Sequence, residues 1–143
     1  MKPSRRRSRE FALQSLYQWR VGKNQAEDIA RQAAEAEGFD KADREYFARL
    51  FHGTVAAAAS LESEIAPLLD RRAQELAPIE LAILLLGAFE LKLVPEVPYR
   101  VVINEAVELA KAYGGTDGHK YVNAVLDKLA QRLRIAERTA ERA

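Results

Sequence analysis

The chain has 143 residues, 48% of them hydrophobic, no cysteine, and a net charge of +1 from 22 basic and 21 acidic side chains. That length suits one domain around one core, and the missing cysteine excludes a disulfide framework, a thiolate zinc site and a cysteine nucleophile, leaving a reducing cytoplasm as the expected compartment. Near-neutrality excludes a histone-like polycation, and the most apolar run, Leu81 to Phe89, is far short of the roughly 20 residues that cross a bilayer.

Sustained period-two alternation is missing, and Ala, Leu, Glu, Arg and Lys dominate at helical spacing, so the class is all-α. The basic start Met1-Lys2-Pro3-Ser4-Arg5-Arg6-Arg7 runs into Ser8-Arg9-Glu10 rather than an apolar stretch, and is therefore read as mature protein rather than a signal peptide. A first helix is expected from about Ser4 to Val21, with Ala12, Leu13, Leu16, Tyr17 and Arg20 along one side and Gly22 as its stop. A weaker, Ala-rich helix covers about Ala26 to Glu37 and ends at Gly38. Asp40 is the expected N-cap of a third helix whose stripe is Phe47, Leu50, Phe51, Thr54, Val55 and Ala58. That stripe continues through Leu61 and Ile65, with a break near Ser60 and another at or just after Pro67.

Pro78 suits the first turn of a helix to about Leu93 that has almost no polar face and should be the buried centre. Pro95 and Pro98 lead into a helix from about Tyr99 to Tyr113, with Val102, Ala106, Leu109, Ala110 and Tyr113 in its stripe. A loop, Gly114-Gly115-Thr116-Asp117-Gly118, precedes a last helix to about Arg134 with Val122, Val125, Leu126, Leu129 and Leu133 inward. The charged tail, about 135–143, is expected to fray. Residues 1–143 thus read as a single domain, a compact bundle of six to seven helices arranged as two small bundles sharing a central buried helix.

Catalytic and metal chemistry find little support. His52 and His119 are the only histidines, neither forms a helical pair, and no His–carboxylate cluster has ligand spacing. The glycine loop matches neither phosphate-binding glycine motif and follows no strand. It reads first as a C-cap glycine followed by a Thr or Asp N-cap. It also puts unpaired N–H groups at the start of the last helix, which favour an anion, with the Tyr121 ring one turn in for a base to stack on. No cofactor, metal or enzymatic activity is expected.

The sharper signal is charge placement. Lys2, Arg5, Arg6, Arg7 and Arg9 against Glu10 give the first ten residues a charge of +4, leaving −3 for the rest. Cations at a helix N-terminus oppose the macrodipole at roughly 0.3 to 1 kcal/mol each, and they repel one another. An anionic partner would relieve both, with phosphate the obvious candidate. A solvated charged end and a membrane-surface helix stay open on these residues alone. If RNA is the partner, Arg5 to Arg9 of the basic arm 1–9 are expected to order on binding.

Three segments carry a resemblance: Arg5-Arg6-Arg7-Ser8-Arg9-Glu10-Phe11-Ala12-Leu13-Gln14-Ser15-Leu16-Tyr17, Val101-Val102-Ile103-Asn104-Glu105-Ala106-Val107-Glu108-Leu109-Ala110-Lys111, and His119-Lys120-Tyr121-Val122-Asn123-Ala124-Val125-Leu126-Asp127-Lys128. In order and spacing they resemble the NusB family of bacterial transcription antitermination factors across nearly the whole chain. The resemblance implies joint binding of boxA RNA, chiefly of ribosomal RNA transcripts, with the small ribosomal protein NusE, and assembly with other Nus factors on RNA polymerase. It maps RNA contacts to Arg6 and Arg7 for phosphates, with Lys2, Arg5 and Arg9 in the same basic end. Tyr17 and Tyr121 would serve bases, and Glu80 and Asp117 would accept from base amino groups, which suits single-stranded RNA recognition by stacking and exposed base edges. The chain departs from the family at Ala124, where Gly is usual, with slightly wider helix packing or an altered RNA approach as the expected effect, and at Tyr121, where Phe is usual. Asn104 and Glu105 read as a polar pair making buried hydrogen bonds and stay outside the expected site. Two other readings remain: a helical adapter that binds protein alone, and an RNA-binding fragment related to the N-terminal domain of ribosomal RNA cytosine methyltransferases.

Overall fold

The computed structural model describes residues 2–142, with side chains through residue 140. Among them are seven α-helices and no strand, apart from an isolated bridge between Ser4 and Ala42. Helix α1, Arg5–Val21, begins abruptly because Ser4 caps it: the Ser4 hydroxyl accepts from the Arg7 N–H at 3.1 Å. The same residue is tied to the turn ahead of the third helix. Its N–H donates to the Lys41 carbonyl at 2.9 Å, its carbonyl accepts from the Asp43 N–H at 3.2 Å, and the Ser8 hydroxyl donates to the Asp43 carbonyl at 2.7 Å. Arg5 to Arg9 are therefore the start of a capped helix.

Helix α2, Ala26–Ala34, stops short of the expected Glu37 as its end tightens, with Glu35 and Ala36 N–H groups reaching back only three residues. Gly38, at φ 89°, then turns the chain in the left-handed region. Helix α3 spans Arg44–Ile65. Its N-cap is Asp43, whose carboxylate accepts from the Tyr46 N–H at 3.0 Å, not Asp40, which lies in a 3₁₀ turn. The expected break near Ser60 does not occur: Leu61 and Ile65 stay on the buried face, and α3 ends only where Pro67 enforces a 3₁₀ turn.

Helix α4, Pro78–Leu93, is buried continuously from Leu81 to Leu91. The other helices pack around it: α1 and α3 on one side, and α5, Tyr99–Tyr113, with α6, Gly118–Leu133, on the other. Close approach needs glycine on both flanks. A Cβ at Gly53 of α3 would sit 2.3 Å from the Phe89 ring, and one at Gly87 of α4 would sit 2.7 Å from Leu126 of α6. The two small bundles with a shared central helix are thus the observed architecture.

The tail is helical rather than frayed. Arg134 is buried, and α7, Ile135–Arg142, follows it. The Arg134 guanidinium donates to the carbonyl of Leu91 at 2.8 Å, which the end of α4 leaves open ahead of Pro95, and adds a second donor at 3.1 Å to the carbonyls of Glu90 and Val94, already bonded by the Val94 and Val97 N–H groups. It also meets Glu137 at 2.6 Å, and the other Glu137 oxygen accepts from the Tyr99 N–H at 2.9 Å at the start of α5. One Arg–Glu pair thus closes the end of α4 and the start of α5.

Candidate nucleic-acid interface

The first turn of α1 divides its cations by helical position. Lys2, ahead of the helix, is exposed, as is Arg7, whose guanidinium forms no ion pair among the described residues. Arg5 lies 4.2 Å over the Tyr46 ring and 3.9 Å from Asp43. Arg6 points outward yet meets Glu105 of α5 through two of its nitrogens, at 3.2 and 2.7 Å.

Arg9 departs from the expected exposed set. Its side chain is 6% exposed and bonds the Glu90 carboxylate at 2.8 and 2.9 Å, with Glu105 at 3.4 Å. Tyr46 donates to the same Glu90 at 2.5 Å. Burial works against the Arg9 charge, but the Glu90 carboxylate outweighs it and holds the pKa above the usual arginine range, while burial pushes the Tyr46 phenol up. The crowding that argued for an anionic partner is thus answered within the protein at Arg9 and in part at Arg5 and Arg6. It is left unanswered at Arg7 and Lys2.

The second cluster forms where the chain turns from α5 into α6. An open cleft of about 500 Å³ is lined by Arg71, Glu80, Gly115, Thr116, Asp117, Gly118, Lys120 and Tyr121. Glu80 sits in the first turn of α4, and one oxygen accepts from the Gly115 N–H at 3.2 Å. The glycines are there for this carboxylate: a Cβ at Gly118 would lie 2.2 Å from it. Asp117 occupies the N-cap position of α6, but its side chain caps nothing and lies 3.5 Å from the Lys120 ammonium, both well exposed. Its carboxylate is free for other work, contrary to a capping role.

Tyr121 is half-buried, its hydroxyl is sealed from solvent beside Asp70, and burial raises its pKa. The Arg71 guanidinium covers the ring at 4.9 Å and bonds Asp70 at 2.8 Å, which holds that carboxyl below its usual range. Tyr17 is 38% exposed on α1. Because Arg6 meets Glu105 while Glu10 shares a small cavity with Ala112 and Tyr113, α1 and α5 run in the same direction. The Tyr17 end of α1 therefore lies toward Gly114 and the Glu80 cleft, about 16 Å along the helix from Arg6.

Neither Arg71 nor Lys120 was expected at the site, and Glu105 was expected only to make buried hydrogen bonds. Lys120 adjoins Tyr121 in the third recognisable segment and was open to detection; Arg71 lies in irregular chain between Pro67 and Pro78, where no periodicity points inward or outward. Asn104 is exposed rather than buried, and Glu105 is half-buried, its bonds to Arg6 exposed and its bond to Arg9 partly buried. Ala124 is exposed on α6, so its methyl does not widen the helix packing. Among the described residues no group of His and carboxylates could hold a metal ion, and no helix is long and apolar enough to cross a membrane.

Comparison with known proteins decides the family. The NusB family model matches residues 6–131. The chain belongs to the NusB family. It is 63% identical over 129 residues to the transcription antitermination protein NusB of Nitrosospira multiformis, covering 90% of this chain and 82% of that one. Against NusB of Paraburkholderia phytofirmans it is 54% identical over 142 residues, covering 99% of both. Among solved structures, Thermotoga maritima NusB superposes with a TM-score of 0.80 at 27% identity, covering 92% of this chain and 93% of that one. NusB in a complex of NusB and NusE with double-stranded RNA superposes at 0.79, with 24% identity and 90% and 96% coverage, which speaks for the fold. NusB antitermination factors are non-enzymatic transcription regulators, and the chain is one of them.

Proposed function

We propose that this NusB protein binds boxA RNA of ribosomal RNA transcripts jointly with NusE in the cytoplasm, and helps assemble the antitermination complex with other Nus factors on RNA polymerase. One observation carries the reading. A cleft pairs a half-buried aromatic ring with two acceptor carboxylates and two cations, at the same end of the bundle as Tyr17, while the phosphate-competent edge of Arg6, together with Arg7 and Lys2, lies at the other end of α1. Stacking, base-edge acceptors and spaced cations are what single-stranded RNA offers partners for. Arg6, Arg7 and Lys2 take phosphates, Tyr17 and Tyr121 take bases, and Glu80 and Asp117 accept from amino groups. Arg5 contributes field, and Arg9 supports from within.

The solved complex of NusB and NusE with double-stranded RNA supports NusE and RNA as classes of partner. The test is anisotropy of a labelled boxA oligonucleotide against a scrambled one, with and without NusE, over a salt series. Removing Arg6 and Arg7 together should flatten the log–log salt dependence by roughly 1.4 for single-stranded RNA. Equal binding of boxA and scrambled RNA with NusE present overturns the reading and favours a protein-only adapter.

A further inference from the structure

Among the described residues Glu105 is the one carboxylate that touches both an exposed and a buried arginine of α1. It accepts from Arg6 Nε and Nη2 at 3.2 and 2.7 Å and from Arg9 Nη1 at 3.4 Å, and Arg9 passes the contact on to Glu90. Side-chain exposure falls along this chain, from 65% at Arg6 through 13% at Glu105 and 6% at Arg9 to 2% at Glu90. The surface cation is therefore wired to the centre of the bundle.

A guanidinium has five N–H groups in a rigid plane. Glu105 engages the Nε–Nη2 side of Arg6 and leaves the Nη1 edge facing away from the carboxylate. A free arginine at 65% side-chain exposure would sample many rotamers and lose that freedom on binding. One held by a fixed carboxylate has already lost it. We propose that Glu105 is a positioning residue for RNA: it presets the Arg6 guanidinium so that its outer edge meets a phosphate. This rests on the RNA reading above.

The sign of the effect separates positioning from simple charge. Taking an acid away from a phosphate contact should strengthen RNA binding by relieving repulsion; if Glu105 positions Arg6, its removal weakens binding instead. Glu108 provides the contrast, because it lies on the same helix, acts on Arg6 only through its field and pairs only with Lys111 at 3.8 Å.

The experiment measures labelled boxA RNA binding to the full chain with NusE for wild type, Glu105→Gln, Glu105→Asp, Glu108→Gln, Arg6→Ala and the Glu105→Gln/Arg6→Ala double variant. Positioning predicts that Glu105→Gln weakens binding by about two- to tenfold, the lower part of the span of coupling between residues of one charge network. Glu105→Asp, which keeps the charge but not the reach, should weaken it as well, and Glu108→Gln should leave it unchanged or tighter. In the Arg6→Ala background the Glu105→Gln loss should vanish, which a merely structural role would not produce. Unchanged or tighter binding by Glu105→Gln, or a loss that adds fully to that of Arg6→Ala, overturns the proposal while leaving the RNA reading standing. Wild type that does not prefer boxA RNA over a scrambled sequence overturns both.

Discussion

The Arg9 guanidinium meets the Glu90 carboxylate side-on through two hydrogen bonds of 2.8 and 2.9 Å, and both side chains are sealed from solvent. The pair joins the first turn of α1 to the last turns of α4 at the core of the N-terminal bundle. Truncating one partner strands the other charge, which for buried pairs costs about 3–5 kcal/mol. Arg9→Ala should lower urea-unfolding stability by that order. Arg6→Ala, whose pair is exposed, should change it by less than about 1 kcal/mol and register in RNA binding instead.

Tyr46 donates to Glu90 and has its pKa raised above the ordinary phenol value of 10.0, first by burial and then by the carboxylate. A raised folded-state pKa means that the contribution of the neutral phenol is complete below the unfolded value and is lost as pH climbs above it. Thermal melts of wild type and Tyr46→Phe should therefore differ by a constant amount up to about pH 10 and converge above it. A gap that widens with alkalinity contradicts the assignment.

Arg134 offers a prediction confined to the far corner. Arg134→Met retains the stem but leaves the Leu91 carbonyl without a donor, takes a second donor from the Glu90 and Val94 carbonyls, and removes the cation beside Glu137. Unsatisfied buried acceptors cost about 1–3 kcal/mol each before relaxation and water entry. Guanidinium unfolding should show a loss of about 1–3 kcal/mol, with helical content before the transition nearly unchanged.

Tyr121 separates ring from hydroxyl. Because Phe keeps the ring and loses only a hydroxyl whose contact is with Asp70, Tyr121→Phe should bind boxA RNA as wild type does. Tyr121→Leu removes the stacking face and should cost about 1–3 kcal/mol of binding. Arg71→Ala uncovers the ring and should weaken binding and the salt dependence together.

Much of this was legible in the residues. Pro78, Pro98 and the Gly114–Gly118 loop bracket α4, α5 and the start of α6, and the apolar stripes place their buried faces. Arg9 was legible too: it precedes Ala12, Leu13 and Leu16 by three, four and seven residues, which is the buried stripe of α1, so reading it with its exposed neighbours overrode the periodicity. Glu105 likewise falls between Val102 and Leu109 on the buried side of α5. The break near Ser60 was a false signal, since the run Ala56 to Ser60 thins the apolar stripe while alanine sustains the helix. The choice of Asp43 over Asp40 as cap was not local at all. It depends on Ser4 and Ser8 reaching the Asp43 backbone from another helix, as Arg71 depends on α6 bringing Tyr121 beneath it.

The backbone ties at Ser4 have a dynamic consequence. Helix ends ordinarily fray, and the amides of a first turn exchange with solvent almost freely. Here the Ser8 N–H donates to Ser4, and Ser4 is bound to the turn that starts α3. The arginine-bearing turn and the head of α3 therefore open as one cooperative unit, so deuterium uptake at Ser8 should track that at Phe47 rather than that at the far end of α1. A lesion at the head of α3, far in sequence from any cation, would loosen the basic end of the molecule as surely as a change within it.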